Sequence, residues 1–467
     1  MKLSDLSDEQ WFARLNARRR GKLDDLKLKW QYYNGEQPLT YVAKILAEQE
    51  DRFPACRVNW PALVVDSLEE RLDVEGFRLG DDIDDELTAF WQDNDLDEES
   101  TQGHITSLVT SESYVMVGPG EGGSPLITVE YPEEVAVEID PRTRKIIALL
   151  KVYKEDQEAK SENRAVLLVP GRVIEFENGK PVSSKGQTWA KALERHQTSP
   201  LVPAVKLTNR PIRGVGRSEL DSIIPLADAV NQTATNMMAG IEHHSVGRRW
   251  AVGVSKSDFV DKDGKQLSPW EIATGPVWAV PGPEDPTDGH EVKLGQFAAS
   301  DLRNFHESIK QLASLAASLY GLPPHYMGYA SDNPASADAI RSSEARLVKR
   351  AERRQRAFGG SWEKVMRLAL AVVGRDPAEA NRLETVWRDA STPTRAAMTD
   401  AAVKAFQAGY IDAEQAQEDS GYSQAQRRRM AGRTAAGGAV RAAADAIRNL
   451  DVTGGSDASA GGGSAGS

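Results

Sequence analysis

Residues 318–340 read SLYGLPPHYMGYASDNPASADAI, and what flanks them decides the fold. Upstream, Ser300 to Tyr320 repeats apolar residues at helical spacing and is stopped by Gly321. Leu322 to Asn333 follows as a loop rich in Pro, Gly and Tyr. Downstream, Ser331 or Asn333 can cap a new helix, with Pro334 near its first turn. The pattern carries that helix to about Val373, with a bend expected at Gly359 and Gly360. At a rise of 1.5 Å per residue it approaches ~60 Å, far beyond ordinary helices. Such a helix must lean on partners along its length.

Working outward, residues 250–298 break the helical pattern. They hold short apolar pieces (Trp250 to Val254, Val277 to Val280), turn signals at Gly264 and Gly289, and Pro281, Pro283 and Pro286. They read as a small mixed insert between two helices. The preceding helix starts at Arg217, with Ser218 as candidate N-cap, and runs to about Arg249. Ile223, Leu226, Val230, Ala234, Met237, Met238 and Ile241 form its apolar stripe. Pro225 should kink it or start a second helix. Earlier still, Tyr114 to Val117, Leu126 to Val129, Val135 to Ile139, Ile146 to Tyr153, Arg164 to Val169 and Val173 to Phe176 read as antiparallel strands. Residues 1–35 read as helix up to Asn34 and Gly35, and Pro61 to Leu72, Asp84 to Trp91 and Thr101 to Thr110 as three more. Residues 393–430 read as two or three short helices. Ala431 to Ser467 holds 20 Gly or Ala in 37 residues and reads as a flexible tail. The fold class is α+β, mainly helical.

The 467 residues are 40% hydrophobic and 27% charged, enough for a real core and for about three domains or one large elaborated one. A single cysteine, Cys56, excludes an intramolecular disulfide and a cysteine-built metal site, and points to a reducing compartment. No apolar run approaches the ~20 residues of a membrane span, and the N-terminus has no signal-peptide block, so a soluble, non-secreted protein is expected.

The net charge of −12 is unevenly placed. Residues 66–100 hold 15 acidic and 2 basic side chains. Residues 341–356 hold seven basic ones against Glu344 and Glu352. A uniformly basic nucleic-acid binder is excluded, whereas a localised DNA contact is not. Of the basic run, Arg346, Lys349, Arg350 and Arg353 are spaced to line one helix face. That face serves either as a solvated or subunit-pairing surface, or as a contact for DNA phosphates or acidic neighbours.

Catalytic signatures are poor. No phosphate-binding P-loop and no nucleophile elbow occurs, and Gly214 and Gly216 lack the third glycine of a dinucleotide fingerprint. His243 and His244 are adjacent, and His306 and Glu307 lack a second histidine, so no histidine metal site is spelled out. Asp81, Asp82, Asp84, Asp85 and Glu86 lack the glycine and spacing of a calcium loop and read as a solvated helix start. No cofactor, metal or catalytic residue is expected.

The order of elements (helix, compact insert, returning helix, Pro/Gly loop, very long helix) resembles the portal, or head-to-tail connector, proteins of tailed bacteriophages related to the phage SPP1 portal. Local phrases agree: Tyr32 to Gly35; Asn59 to Asp66; Gly216 to Leu220, then Pro225 to Asn231; Gly321 to Pro324, Gly328 and Asn333 to Ile340; Trp387 to Asp389, Pro393 and Ala401 to Glu414. The resemblance covers about residues 10–430. It implies a wing over 1–216, stem helices over 217–249 and 299–321 enclosing a clip over 250–298, and a tunnel loop over 322–333. It further implies a long wing helix and following segment over 334–392, crown helices over 393–433, and a tail over 434–467.

It also implies a non-enzymatic, homo-oligomeric ring, usually a dodecamer, at one capsid vertex of a virion assembled in the bacterial cytoplasm. A terminase large subunit would dock at the clip and package double-stranded DNA through the channel, and the genome would later leave that way. Major capsid and scaffolding proteins and a head-completion or adaptor protein would be further partners, with no membrane. Tunnel-loop candidates for DNA contact are His325, Tyr326 and Tyr329, which could instead pack between neighbouring loops. Clip candidates for terminase docking are Trp250, Lys256, Lys262 and Trp270. A channel must hold DNA loosely, which suits an acidic chain with one local basic run. A helical adaptor of a virion, monomeric or oligomeric, and an enzyme with an unrecognised site are the alternatives.

Overall fold

A capping box opens the first helix: the Ser7 hydroxyl accepts from the Gln10 N–H, and the Gln10 side chain accepts from the Ser7 N–H at 2.9 Å. This helix, α1 (Asp8–Arg20), presses Trp11, Phe12 and Leu15 onto a sheet. It ends at Gly21, and α2 (Leu23–Asn34) follows. The single helix expected over 1–35 is therefore two. Trp11, Phe12 and Leu15 join one apolar cluster while Tyr32, flanked by Trp30 and Tyr33, joins another, and one unbroken stripe does not serve both.

The computed structural model describes residues 6–39, 56–80, 83–155, 162–178, 189–196, 201–245, 249–252, 293–296, 302–328, 337–391, 395–422 and 426–433. Two units form, Met1–Ser391 and Thr392–Ser467. The expected tail over 434–467, most of the insert over 250–298, and the candidates Tyr329, Lys256, Lys262 and Trp270 lie outside the described residues.

In the first unit α3 (Trp60–Glu69), β1 (Val74–Arg78), α4 (Asp85–Asp93) and α5 (Leu96–Thr110) precede the sheets. One sheet has the order β3 (Pro125–Glu130), β2 (Glu112–Pro119), β9 (Ala204–Thr208). The other is an antiparallel meander of β4 (Val135–Ile139), β5 (Ile146–Tyr153), β6 (Arg164–Val169), β7 (Arg172–Asn178) and β8 (Trp189–His196). Strand alternation sorts their side chains. Val115 and Val117 of β2 face the helical core, whereas Tyr114 faces Val137, Leu149 and Leu168 of the meander. The meander's opposite face, including Leu150, Leu167 and Phe176, receives α1. Both sheets are thus covered on two sides by apolar partners.

The strand pattern read from sequence is present. β1, β8, β9 and the short β12 (Glu384–Trp387), which pairs antiparallel with β1, were not expected. They are short or heavily charged: β8 carries Lys191, Glu194 and Arg195 and is mostly exposed, so its alternation is blurred.

α6 (Ile224–Ser245) begins just before Pro225, which thus starts the helix rather than kinking it. Ser218 caps the preceding turn instead: its hydroxyl accepts from the Leu220 N–H at 2.9 Å. β10 (Arg249–Val252) and β11 (Lys293–Gln296) form an antiparallel pair at the two ends of the insert, with the candidate Trp250 opposite Gly295. α7 (Arg303–Tyr320) then packs against α6. α8 (Ala337–Val372) runs unbroken through Gly359 and Gly360. Gly359 answers to crowding, not to a break: a Cβ there would lie 3.0 Å from the Trp387 Nε1. Leu347, Ala351, Phe358, Trp362, Val365, Met366, Ala369 and Leu370 of α8 are buried in the main core, so the long helix leans on its own chain along most of its length.

The second unit holds α9 (Arg395–Gln407), α10 (Ala413–Asp419), and a helical segment over 426–433. Asp412 caps α10 by accepting from the Gln415 N–H at 2.8 Å. Among the described residues no helix is long and apolar enough to cross a membrane, and no group of three or more metal-ligating side chains is assembled.

Candidate functional site

Tyr32 to Gly35, Asn59 to Asp66, Gly216 to Leu220 and Pro225 to Asn231 meet at the root of the α6–α7 pair. Gly35, at a φ of 73°, lets α2 stop in the left-handed conformation, which leaves Tyr32 and Tyr33 on its last turn. The Tyr32 hydroxyl donates to Asp228 of α6 at 2.9 Å, and the Tyr33 hydroxyl donates to Asp66 of α3 at 2.8 Å. Asn59 caps α3 and donates to the Tyr33 carbonyl at 2.9 Å. Asn231, one turn after Asp228, accepts from the Val58 N–H at 2.6 Å. Two distant segments, the end of α2 and the start of α3, are thereby tied to each other and to the first two turns of α6.

Burial pushes the Asp66 carboxyl up against the opposing bond from Tyr33, and burial with that bond pushes the Tyr33 phenol up, so the phenol stays protonated. Neighbouring Glu69 is raised to about 7: burial is the main cause, Asp73, Asp66 and Glu70 add to it, and the Thr101 hydroxyl opposes it. A carboxyl raised on folding favours the fold most below its unfolded pKa and loses that contribution as pH rises to about 7. Between about pH 5 and about pH 8, urea unfolding should therefore show the wild type losing about 1–3 kcal/mol more than Glu69→Gln.

Glu219 is fully buried at the other side of this root. Its carboxylate accepts from Arg350 at 2.6 Å, from Asn209 at 3.1 Å and from Arg354, with Arg210 at 3.8 Å. Burial alone would raise its pKa, but Arg354 and Arg350 outweigh that and hold the carboxyl below its ordinary range. Arg350 is itself pulled down by burial and by Arg354, against the attraction of Glu219.

The same helix face closes over the end of α7. The Tyr320 hydroxyl donates to the Glu219 carbonyl at 2.5 Å. Arg350 lies 4.8 Å from the Tyr320 ring centroid and donates to the Tyr320 carbonyl, and Arg346 donates to the Ser318 carbonyl at 2.7 Å. Cations on terminal carbonyls match the helix dipole. The chain leaves through Gly321 at a φ of 68°, where a Cβ would lie 2.7 Å from the Arg346 Cγ.

The basic run is therefore divided. Arg346 and Arg350, together with Arg354, point to this junction. Lys349 and Arg353 are exposed on another face, with Lys349 paired to Glu352 at 2.6 Å. In the loop, His325 is exposed and Tyr326 is half-buried. The Tyr326 hydroxyl accepts from Arg71 at 3.2 Å and lies 3.3 Å from a Glu344 oxygen. Sequence reading gave no role to Glu219, Asn209 or Arg354. Glu219 carried a signal as part of the phrase Gly216 to Leu220, and Arg354 as a member of the basic run. The arrangement is a set of internal ties between helices.

The chain matches the family described as phage portal protein, SPP1 Gp6-like, over residues 14–418. The portal protein of Mycobacterium phage L5 is 35% identical over 424 residues, 87% of this chain and 84% of that protein. The portal protein of Mycobacterium phage D29 gives the same figures. Among solved structures, a chain from the virion of a native gene transfer agent particle is 13% identical with a TM-score of 0.41, covering 82% of this chain and 94% of that one. A chain from the neck of an empty particle of that kind is 14% identical with a TM-score of 0.43, covering 83% and 96%.

Proposed function

The chain belongs to the SPP1 Gp6-like family of phage portal proteins, and from that membership we propose that its copies close into a ring, twelve in number, with the α6–α7 pair as the stem around a channel for double-stranded DNA. It is a virion component that serves at a capsid vertex. The observation that carries the reading is the family match over residues 14–418. The Glu219 junction supports it, because a stem through which DNA is driven needs a stiff tie to the body, and Arg346, Arg350 and Arg354 supply one.

In this reading residues 1–216 are the wing, 217–249 and 299–321 the stem, 250–298 the clip, 322–333 the tunnel loop, 334–392 the long helix and its following segment, 393–433 the crown and 434–467 the tail. The clip, with Trp250, Lys256, Lys262 and Trp270, takes the terminase large subunit. Major capsid, scaffolding and head-completion proteins are the other partners. The protein acts structurally rather than as an enzyme. Assembly takes place in the reducing cytoplasm of the host, where Cys56 stays free. His325, Tyr326 and Tyr329 meet DNA without gripping it, because strong phosphate contacts would stall translocation. Of the two candidates on the other face of α8, Lys349 is paired to Glu352 and Arg353 remains available for DNA or a neighbour.

Deletion of residues 324–330 tests this reading. The variant should still assemble while packaged DNA, measured as nuclease-protected genome per particle, falls to background. Normal packaging by that variant would remove the loop from the channel.

A further inference from the structure

One face of this acidic chain carries cations without matching anions. After β9 the chain turns sharply, closed by a bridge between Ile212 and Val215. Arg210 and Arg213 adopt φ values of 47° and 54° there, a conformation costly for residues other than glycine. Ile212 is 49% and Val215 67% exposed at the tip. Arg144 of the β4–β5 turn reaches the same place: its Nη1 lies 3.5 Å from where a Gly214 Cβ would sit. Across a groove of about 470 Å³ stand Arg353 and Arg356 of α8, facing Arg210, Pro211 and Ile212.

The neighbouring cations of α8 are spoken for: Arg350 and Arg354 by Glu219, Lys349 by Glu352. Among the described residues Arg213, Arg353 and Arg356 have no acidic partner, and Glu219, the one carboxylate close to Arg210, is fully buried and already shared. Exposed acids are instead grouped on α4 and the start of α5, where Asp93, Asp95 and Glu98 are exposed. The start of α4 lies towards the other end of α8, since Glu86 pairs with Arg375 beyond Val372. Among the described residues no ion pair joins Asp93, Asp95 or Glu98 to an arginine of the turn-and-groove face. The two patches therefore do not neutralise each other within one chain.

We propose that the turn-and-groove face formed by Arg144, Arg210, Arg213, Arg353 and Arg356 docks the acidic α4–α5 face of a second copy of this chain. The inference rests on the ring reading. A closed ring is made by heterologous contacts, which require two unlike and complementary patches on each subunit. Opposite charge at a distance is what this chain offers, and exposed Ile212 and Val215 give the basic patch an apolar centre with a charged rim. DNA phosphates would use the arginines and leave that apolar tip without a partner.

The test uses the full chain. Arg353→Glu with Arg356→Glu, and separately Asp93→Lys with Glu98→Lys, should each weaken assembly roughly tenfold or more in sedimentation, with thermal unfolding little changed because all four side chains are exposed. Joining both pairs of reversals in one chain should restore assembly, since the attraction is then reversed but intact. Assembly of Arg353→Glu with Arg356→Glu at wild-type strength, or no recovery in the combined variant, overturns the proposal. Intact assembly with lost binding of double-stranded DNA would overturn it too and give the face to DNA. A wild-type chain that never assembles defeats the ring reading and this inference with it, whereas wild-type rings beside equally stable Arg353→Glu/Arg356→Glu rings defeat this inference alone.

Discussion

Glu219→Ala is expected to cost about 3–5 kcal/mol of stability, as breaking a buried ion pair by removing one partner does. Glu219 is fully buried, and its loss leaves the Arg350 and Arg354 guanidiniums facing each other with no counter-charge. Asn209 and Arg210 lose an acceptor at the same time. The measurement is the denaturant midpoint of the variant against the wild type. Replacing the whole set, Glu219→Leu with Arg350→Met and Arg354→Met, should recover most of the loss, because apolar groups of similar volume often substitute for a buried pair at little cost. The pH sign follows from the lowered carboxyl: the wild-type advantage over Glu219→Gln should hold at neutral pH and vanish only in acid, as pH falls through the folded-state pKa. An equal midpoint for wild type and Glu219→Ala would mean that the junction ties nothing.

Trp362→Ala should be similarly severe, about 3–5 kcal/mol, since it empties the largest fully buried side-chain volume among the described residues. Trp362 meets Trp91 edge-on at 5.0 Å between centroids, so its removal also unseats α4. Its Nε1 donates to the His104 Nε2 at 2.9 Å. His104 is buried and stacked on Phe358 at 5.0 Å, and burial lowers its pKa to about 3, so it stays neutral and needs that donor. Trp362→Phe keeps most of the volume but leaves His104 short of a bond. It should therefore cost less than Trp362→Ala yet remain measurable, about 1–3 kcal/mol.

Elements built on local repetition were legible in the sequence. The strands from Glu112 to Asn178 alternate or run apolar, and α7 ends at a glycine placed where a helix stop requires one. Features set by distant partners were not. Nothing near Gly359 announces Trp387, so a crowded glycine looks like a bend. The basic run looked like one face because helical spacing allows it. Glu219, far away in sequence, draws Arg350 and Arg354 to one side, the end of α7 draws Arg346 with them, and Arg353 and Arg356 are left on another. Tyr32 and Tyr33 were recognisable as a phrase, while their bonds to Asp228 and Asp66 depend on three segments meeting in space. Long-range pairing of charged and polar groups leaves no periodic trace.

The ring is the central claim, and the mass of the purified full chain in solution tests it most directly. Light scattering with electron microscopy should give particles of several hundred kDa, a multiple of the 51.0 kDa chain, each with a central hole. A stable 51.0 kDa monomer at every concentration and salt would contradict it.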